Sequence, residues 1–271
     1  MKKIIYYSLL SVVSLFFMAS CANDNYAEPN SGIEGSILDA KTLKPVPQAI
    51  ETGANVWFKL YEKADSTKTF ISFYGKIDGT FKNSWIFSTD YTLSVEQTNF
   101  FPVNPMAIRL EAGKITKKDI LVMPYLRIDT VIPAISQTIG NDTITSRSLN
   151  VTYKMSRDTS YTLTADISKY KINSIAIYWH VSPYIDNAIG NSLGVTTLST
   201  GRKLDGTLLN TDLIQSVDLF KDAAFMKKTN LALIRKNGNK IYIRVCAISN
   251  RKANFSEVIP VIVPFIDNEL K

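Results

Sequence analysis

Apolar and polar residues alternate with a period of two along most of this chain. Ile33, Gly35 and Ile37 interleave with Glu34, Ser36 and Leu38, and Val56, Phe58 and Leu60 interleave with Trp57, Lys59 and Tyr61. Successive strand side chains point to opposite faces, so each such run predicts a half-buried β-strand. The same pattern predicts strands over 69–74, at Tyr91, Leu93 and Val95, and over 107–110 and 115–123. It returns at Leu149, Val151 and Tyr153, at Tyr161, Leu163 and Ala165, and at Ile241, Ile243, Val245 and Ala247, with a last strand over 258–263. Ile175, Ile177, Trp179 and Val181 form the cleanest apolar stripe, with Ala176, Tyr178 and His180 on its other side. Asp78-Gly79, Glu111 to Lys114 and Asn141-Asp142 are turn signals between such runs. Only Asp218 to Met226 reads as one or two helical turns. Met123-Pro124-Tyr125 reads as a hinge, dividing the chain into β-sandwich domains over 31–124 and 125–271. The prediction is an all-β protein of two sandwiches in tandem.

The first residues break the alternation. Lys2 and Lys3 precede a predominantly apolar run from Ile4 to Met18, followed by Ala19-Ser20-Cys21. A basic start, an apolar stretch and small residues at its end form a secretory signal. The run is roughly fifteen residues, short of the ~20 that a spanning helix needs. The cysteine after the small pair resembles a bacterial lipobox. That resemblance implies cleavage after residue 20, lipidation of Cys21 and attachment to a membrane by acyl chains, each buried methylene contributing ~0.8 kcal/mol. Residues 21–30 are polar and read as a flexible tether. Asp24 resembles a weak form of the acidic surface-export signal of Bacteroidetes lipoproteins.

Charge and cysteine content narrow the classes. The formal net charge is +7, and loss of Lys2 and Lys3 with the leader lowers it by two, to +5. The basic residues are scattered, with Lys117-Lys118 and Lys227-Lys228 only as doublets, so no nucleic-acid stripe is predicted. The chain has two cysteines. With Cys21 lipidated, Cys246 stands alone, and it reads as a small residue packed on a sheet.

The search for chemistry finds no catalytic constellation. Gly190-Asn-Ser192-Leu-Gly194 matches a nucleophile elbow, but that motif needs a strand before it, a helix after it and a later histidine. The single histidine, His180, comes earlier. It also cannot build a histidine-rich metal site, and Cys246 offers no second thiol at metal spacing. No metal, no cofactor and no enzymatic activity are expected. Binding is the more open question. Exposed aromatic rings suit the apolar C–H faces of sugars, and aromatic side chains supply large rigid area. Trp85, near a strand end, and Tyr184, at the head of the long polar 184–210 loop, are the candidates, with Phe100 and Phe101 behind them. Trp57 and Trp179 are placed in or beside the core. Asp65-Ser66-Thr67, Asp129-Thr130-Val131 and Asp142-Thr143-Ile144 resemble a Bacteroidetes O-glycosylation motif, making Ser66, Thr130 and Thr143 candidate acceptors.

Three stretches carry a family resemblance. Gly32-Ile-Glu-Gly-Ser-Ile-Leu-Asp39, Asp78-Gly-Thr-Phe81 and Tyr91-Thr-Leu-Ser-Val95 resemble the carboxypeptidase-regulatory or transthyretin-like sandwich. The run Ile241 to Asn250, with the Trp179 strand, resembles the immunoglobulin and fibronectin type III sandwiches, although Ile241 stands where the corner tyrosine usually does. Cys21-Ala-Asn-Asp-Asn-Tyr26 and Leu60-Tyr61-Glu62 resemble an uncharacterised family of two-domain Bacteroidetes surface lipoproteins encoded beside SusC/SusD-type glycan importers. The resemblance implies an outer-membrane, lipid-anchored protein facing the cell exterior. It implies help with glycan capture in polysaccharide utilisation, by carbohydrate binding or as an importer accessory. The alternative is a scaffold or adhesin-type subunit that binds other surface proteins and no glycan.

Overall fold

The structure is a computed structural model that describes residues 28–50, 56–97, 99–141, 143–158, 172–186, 194–197, 209–249 and 252–265. It is all-β, with two sandwich domains in series. In the first domain one sheet runs β4 (Thr80–Ile86), β1 (Ser31–Asp39) and β7 (Ile115–Lys117), with β8 (Ile120–Val122) also paired to β1. β7 and β8 lie parallel to β1, and β4 lies antiparallel to it. The second sheet is antiparallel, in the order β3 (Phe70–Tyr74), β2 (Trp57–Glu62), β5 (Asp90–Glu96), β6 (Met106–Arg109). Ile33 and Ile37 of β1 and Phe81 of β4 meet Phe58, Leu60 and Leu93 of the facing sheet in one buried cluster. Phe58 packs on Phe73 and Phe81, with ring centroids 5.0 and 4.5 Å apart.

Two glycines fix this domain's tight places. Gly79 ends the Asp78-Gly79 turn at φ +80, and a Cβ there would meet the Val46 carbonyl oxygen at 2.6 Å. Both the left-handed backbone and the close approach require glycine. Gly35 lies where β1 passes the Lys118 carbonyl, and a Cβ would sit 2.0 Å from its oxygen.

The second domain opens with a long hairpin, β9 (Arg127–Gly140) and β10 (Thr143–Ser156), turned at Asn141, whose φ is 49. β13 (Asp212–Asp218) pairs with the other edge of β10. The opposing sheet runs β12 (Gly194–Thr197), β11 (Ile172–His180), β14 (Lys240–Ser249) and β15 (Lys252–Phe255), with β16 (Ile259–Ile262) also on β14. Trp179 is buried against Phe225, with centroids 5.4 Å apart, among Leu149, Tyr153, Ile175, Ile243 and Val245. A nine-residue helix, α1 (Lys228–Lys236), precedes β14 and buries only Leu231 and Ile234. The pattern places helical character at 218–226 instead. That stretch forms turns capped by the Asp222 carboxylate, which accepts from the Ala224 and Phe225 N–H groups at 2.9 Å.

Three further expectations change. Phe100 and Phe101 are 0% and 4% exposed and belong to the interior. Trp57 lies on the solvent side of β2, because Val56, Phe58 and Leu60 take the core side. The Met123-Pro124-Tyr125 stretch, read as a hinge, is tied to the first domain. Phe101 N–H donates to the Met123 carbonyl at 2.9 Å, Tyr125 N–H donates to the Asn99 carbonyl at 3.0 Å, and Phe101 and Tyr125 meet edge to face at 4.9 Å.

Candidate functional site

The domain junction is built on buried charge. Arg244 of β14 is fully buried. Its Nε donates to the Ser256 carbonyl at 3.0 Å and its Nη1 to the Ile185 carbonyl at 3.0 Å, both in the second domain. Its Nη2 crosses to the first domain and donates to the Gln48 carbonyl at 2.9 Å and the Ile77 carbonyl at 3.3 Å. The guanidinium also lies 4.2 Å from the Phe255 ring centroid. Burial pulls Arg244 down to about 9, so it stays charged at neutral pH. The Asp186 carboxylate accepts from the Ile50 N–H at 2.7 Å, a second polar link between domains. Cys246 packs with Ala49 and Phe255 in the same junction, and burial pushes its thiol up to about 12. On another side, Arg127 grips Asp39 with Nε and Nη2, the latter 2.7 Å from Oδ1. Burial would raise the Asp39 carboxyl, but Arg127 and the Lys41 N–H together hold it below the usual carboxylate range.

Two neighbouring clefts open beside this junction. One, of about 470 Å³, is lined by Pro45, Pro47, Ile77 and Asp78 of the first domain and by Pro183, Tyr184, Glu257 and Val258 of the second. The other, of about 350 Å³, shares Pro45, Pro47 and Glu257 with it and extends to Asp39, Arg127 and Thr130. Ligand clefts are favoured at domain boundaries, with apolar walls and a few convergent polar groups. The larger cleft fits that description, with prolines, Ile77 and Val258 as walls and two carboxylates as acceptors.

Tyr184 is presented by a short chain of local bonds. The Ser182 N–H donates to Nδ1 of His180 at 2.8 Å, and the Tyr184 N–H donates to the Ser182 Oγ at 3.3 Å. The next carbonyl, of Ile185, is held by Arg244. The backbone on both sides of Tyr184 is therefore anchored while its ring is 64% exposed. Burial lowers the His180 pKa, and the bond from Ser182 requires an unprotonated Nδ1. His180 thus acts as a turn cap.

The structure scatters the other predicted residues. Trp85 on β4 is 65% exposed but lines neither cleft, so it and Tyr184 do not share a site. Ser66, Thr130 and Thr143 are exposed. The Asp65 side chain before Ser66 caps its own turn, and hydrogen bonds from Thr67 and Thr69 bring its pKa down to about 2. Thr143 Oγ1 donates to the Gly140 carbonyl at 2.7 Å. Cys21, the leader and Ser192 lie outside the described residues. Among the described residues, no group of three or more His, Cys, Asp or Glu side chains could hold a metal, and no helix is long and apolar enough to cross a membrane. Pattern reading missed Arg244, Asp186, Asp78 and Glu257. They come together only through the packing of two domains, and nothing in their local spacing signals it.

Comparison with known proteins agrees with this architecture. A Bacteroides uniformis structure of a DUF3823 family protein superposes with a TM-score of 0.65 at 17% identity, covering 87% of this chain and 100% of that one. A Parabacteroides merdae protein of the same family gives 0.64 at 17% identity over the same shares. A Bacteroides uniformis protein described as a "putative carbohydrate binding protein" gives 0.61 at 19% identity, again covering 87% and 100%. No curated protein matches the chain. Residues 31–123 match the family described as Protein of unknown function (DUF3823) N-terminal domain, and residues 137–260 match Domain of unknown function (DUF3823_C). Both halves in their order make this chain a member of the two-domain DUF3823 family.

Proposed function

We propose that this protein is a cell-surface lipoprotein that captures glycan for a polysaccharide-utilisation system. In this reading a lipid on Cys21 holds it on the outer membrane, facing outward, beside a SusC/SusD-type importer. It binds sugar and performs no chemistry on it. The observation that carries the proposal is Tyr184, whose exposed ring stands on an anchored backbone at a cleft lined by both domains. A pyranose ring offers an apolar C–H face to such a ring, and its hydroxyls can donate to the Asp78 and Glu257 carboxylates. The fold shared with the Bacteroides uniformis carbohydrate-binding candidate supports the same direction.

Affinity electrophoresis in gels containing soluble plant and microbial polysaccharides tests it. At least one polysaccharide should retard the wild-type chain, and Tyr184→Ala should bind about tenfold more weakly, the size of one lost aromatic contact. Absence of retardation by every polysaccharide would sink the proposal. A scaffold role, with another surface protein adding a strand to β9, draws on one observation: Ile132 and Ile139 on that edge strand are 56% and 53% exposed. It predicts a protein partner that co-purifies from membranes without glycan affinity.

A further inference from the structure

The solvent side of the first domain's antiparallel sheet carries a row of aromatic rings that neither cleft uses. Phe58 and Leu60 of β2, Phe73 of β3 and Leu93 of β5 point into the core. The intervening residues face outward: Trp57, Lys59 and Tyr61 on β2, with Phe70, Ser72 and Tyr74 on β3. The strand register sets Tyr61 opposite Phe70, Lys59 opposite Ser72 and Trp57 opposite Tyr74. The rings form one continuous surface. The Trp57 and Tyr74 planes are 13° apart with centroids at 6.2 Å, Phe70 meets Trp57 at 5.8 Å, and Tyr61 meets Phe70 at 5.5 Å. Phe70 and Tyr74 are 42% and 38% exposed.

The polar groups between the rings identify the ligand. Lys59 Nζ lies 4.0 Å from the Trp57 ring centroid and 4.7 Å from that of Phe70, and 2.7 Å from Glu96 Oε2. The hydrogen bond to the Glu96 carboxylate raises the Lys59 pKa, and the ion pair leaves no unmatched cation between the rings. A polyanion such as nucleic acid or an acidic lipid surface calls for uncompensated cations. Here the charge is closed on itself. Ser72 lies on one flank of Lys59 and Ser94 of β5 on the other. A flat aromatic surface, interleaved with hydroxyls and a self-neutralised ion pair, complements a neutral, hydroxyl-rich ligand with apolar faces. Exposed apolar patches of this kind mark interaction sites and ligand-binding surfaces.

We propose that this face is a second carbohydrate site, which takes a neutral polysaccharide chain laid flat across β2 and β3. Phe70 and Tyr74 receive the C–H faces of sugar rings, and Lys59, Glu96 and the flanking serines exchange hydrogen bonds with their hydroxyls. The site shares the ligand class proposed for the Tyr184 cleft and none of its residues. Two sites on one tethered chain bind a polymer with avidity beyond either alone.

Isothermal titration of the purified chain with neutral hexasaccharides built on glucose, mannose, xylose or galactose tests it, with heparin as the anionic probe. The expected result is two sites for one neutral sugar class and none for heparin. Phe70→Ala/Tyr74→Ala should remove one site, weakening it about tenfold or more, while Tyr184→Ala removes the other. Phe70→Leu/Tyr74→Leu keeps apolar area without π faces. It should lose the same site while still unfolding cooperatively, with a melting temperature lowered no further than in Phe70→Ala/Tyr74→Ala, which separates recognition from folding. Unchanged titration of both double variants would overturn the sheet-face site, as would binding of heparin alone or of no sugar by the wild type. Complete loss of binding in Tyr184→Ala would overturn it and leave the cleft standing. Single-site binding that survives Tyr184→Ala but not Phe70→Ala/Tyr74→Ala would support the sheet face and overturn the cleft.

Discussion

The outer face of the β9–β10–β13 sheet and the outer face of the β2–β3–β5 sheet obey the same alternation and carry different chemistry. In the second domain Ser136, Asn150 and Ser216 lie across three strands as a hydrogen-bonded row. Asn150 Nδ2 donates to Ser136 Oγ at 3.1 Å, and Ser216 Oγ donates to Asn150 Oδ1 at 2.7 Å. In the first domain the corresponding positions are rings, with one ion pair among them. An antiparallel sheet needs only one apolar face to bury, and a polar second face is its ordinary complement. The polar row shows that this sheet packs without aromatics on its outer face. The rings of the first domain pack on one another and still leave Phe70 and Tyr74 open to solvent, and ligand binding is the use proposed for that exposed area.

The largest expected contrast is between two tryptophans. Trp179→Ala empties a packed core and should cost about 3–5 kcal/mol. Trp57→Ala, on the outer face, should cost about 1 kcal/mol through its ring contacts. Urea denaturation of both variants measures the difference. Equal losses would show that the outer rings are structural and would break the contrast.

A smaller effect is expected at the junction. Arg244→Leu leaves the Gln48, Ile185 and Ser256 carbonyls without their donor and should cost about 3 kcal/mol. It should also release Tyr184 from its anchored backbone. Denaturation and small-angle scattering would then report lower stability and a larger radius of gyration. Unaltered scattering would show that the domains hold together without this residue.

The Asp39–Arg127 pair gives the smallest effect, confined to acid. Folded Asp39 titrates below its unfolded value. The pair's contribution is therefore complete above the ordinary carboxylate pKa of about 3.9 and disappears as pH falls through the lower folded value. Wild type should be more stable than Asp39→Asn at neutral pH, and the two should converge in acid as pH falls below the lowered folded pKa of Asp39. A stability gap that persists in strong acid would contradict the role assigned to this pair.

Much of the fold is legible in the sequence because period-two alternation survives in most strands. The stripe ending at Trp179 is core, the Asn141 turn closes the β9–β10 hairpin, and Trp85 and Tyr184 are exposed. The failures have physical causes. On β2 both faces carry large apolar rings, so alternation alone does not say which one meets the core, and Trp57 is misplaced. Helix α1 buries two residues, and Lys227 before it provides no side-chain cap, so neither periodicity nor a start signal announces it. Phe100 and Phe101 are drawn inside by the Asn99 and Met123 backbone contacts at the domain boundary. The cleft is illegible for a different reason. Pro45, Ile77, Tyr184 and Glu257 come from four distant stretches, and only the Arg244 junction brings them to one opening.

The central claim is that exposed rings on an otherwise ordinary pair of sandwiches grip sugar. Retention of the triple variant Phe70→Ala/Tyr74→Ala/Tyr184→Ala on the polysaccharide that holds the wild type tests it most directly, with melting temperatures measured alongside. The account predicts that the variant elutes unretained and still unfolds cooperatively, its melting temperature lowered only by the lost ring contacts. Retention equal to the wild type would contradict it.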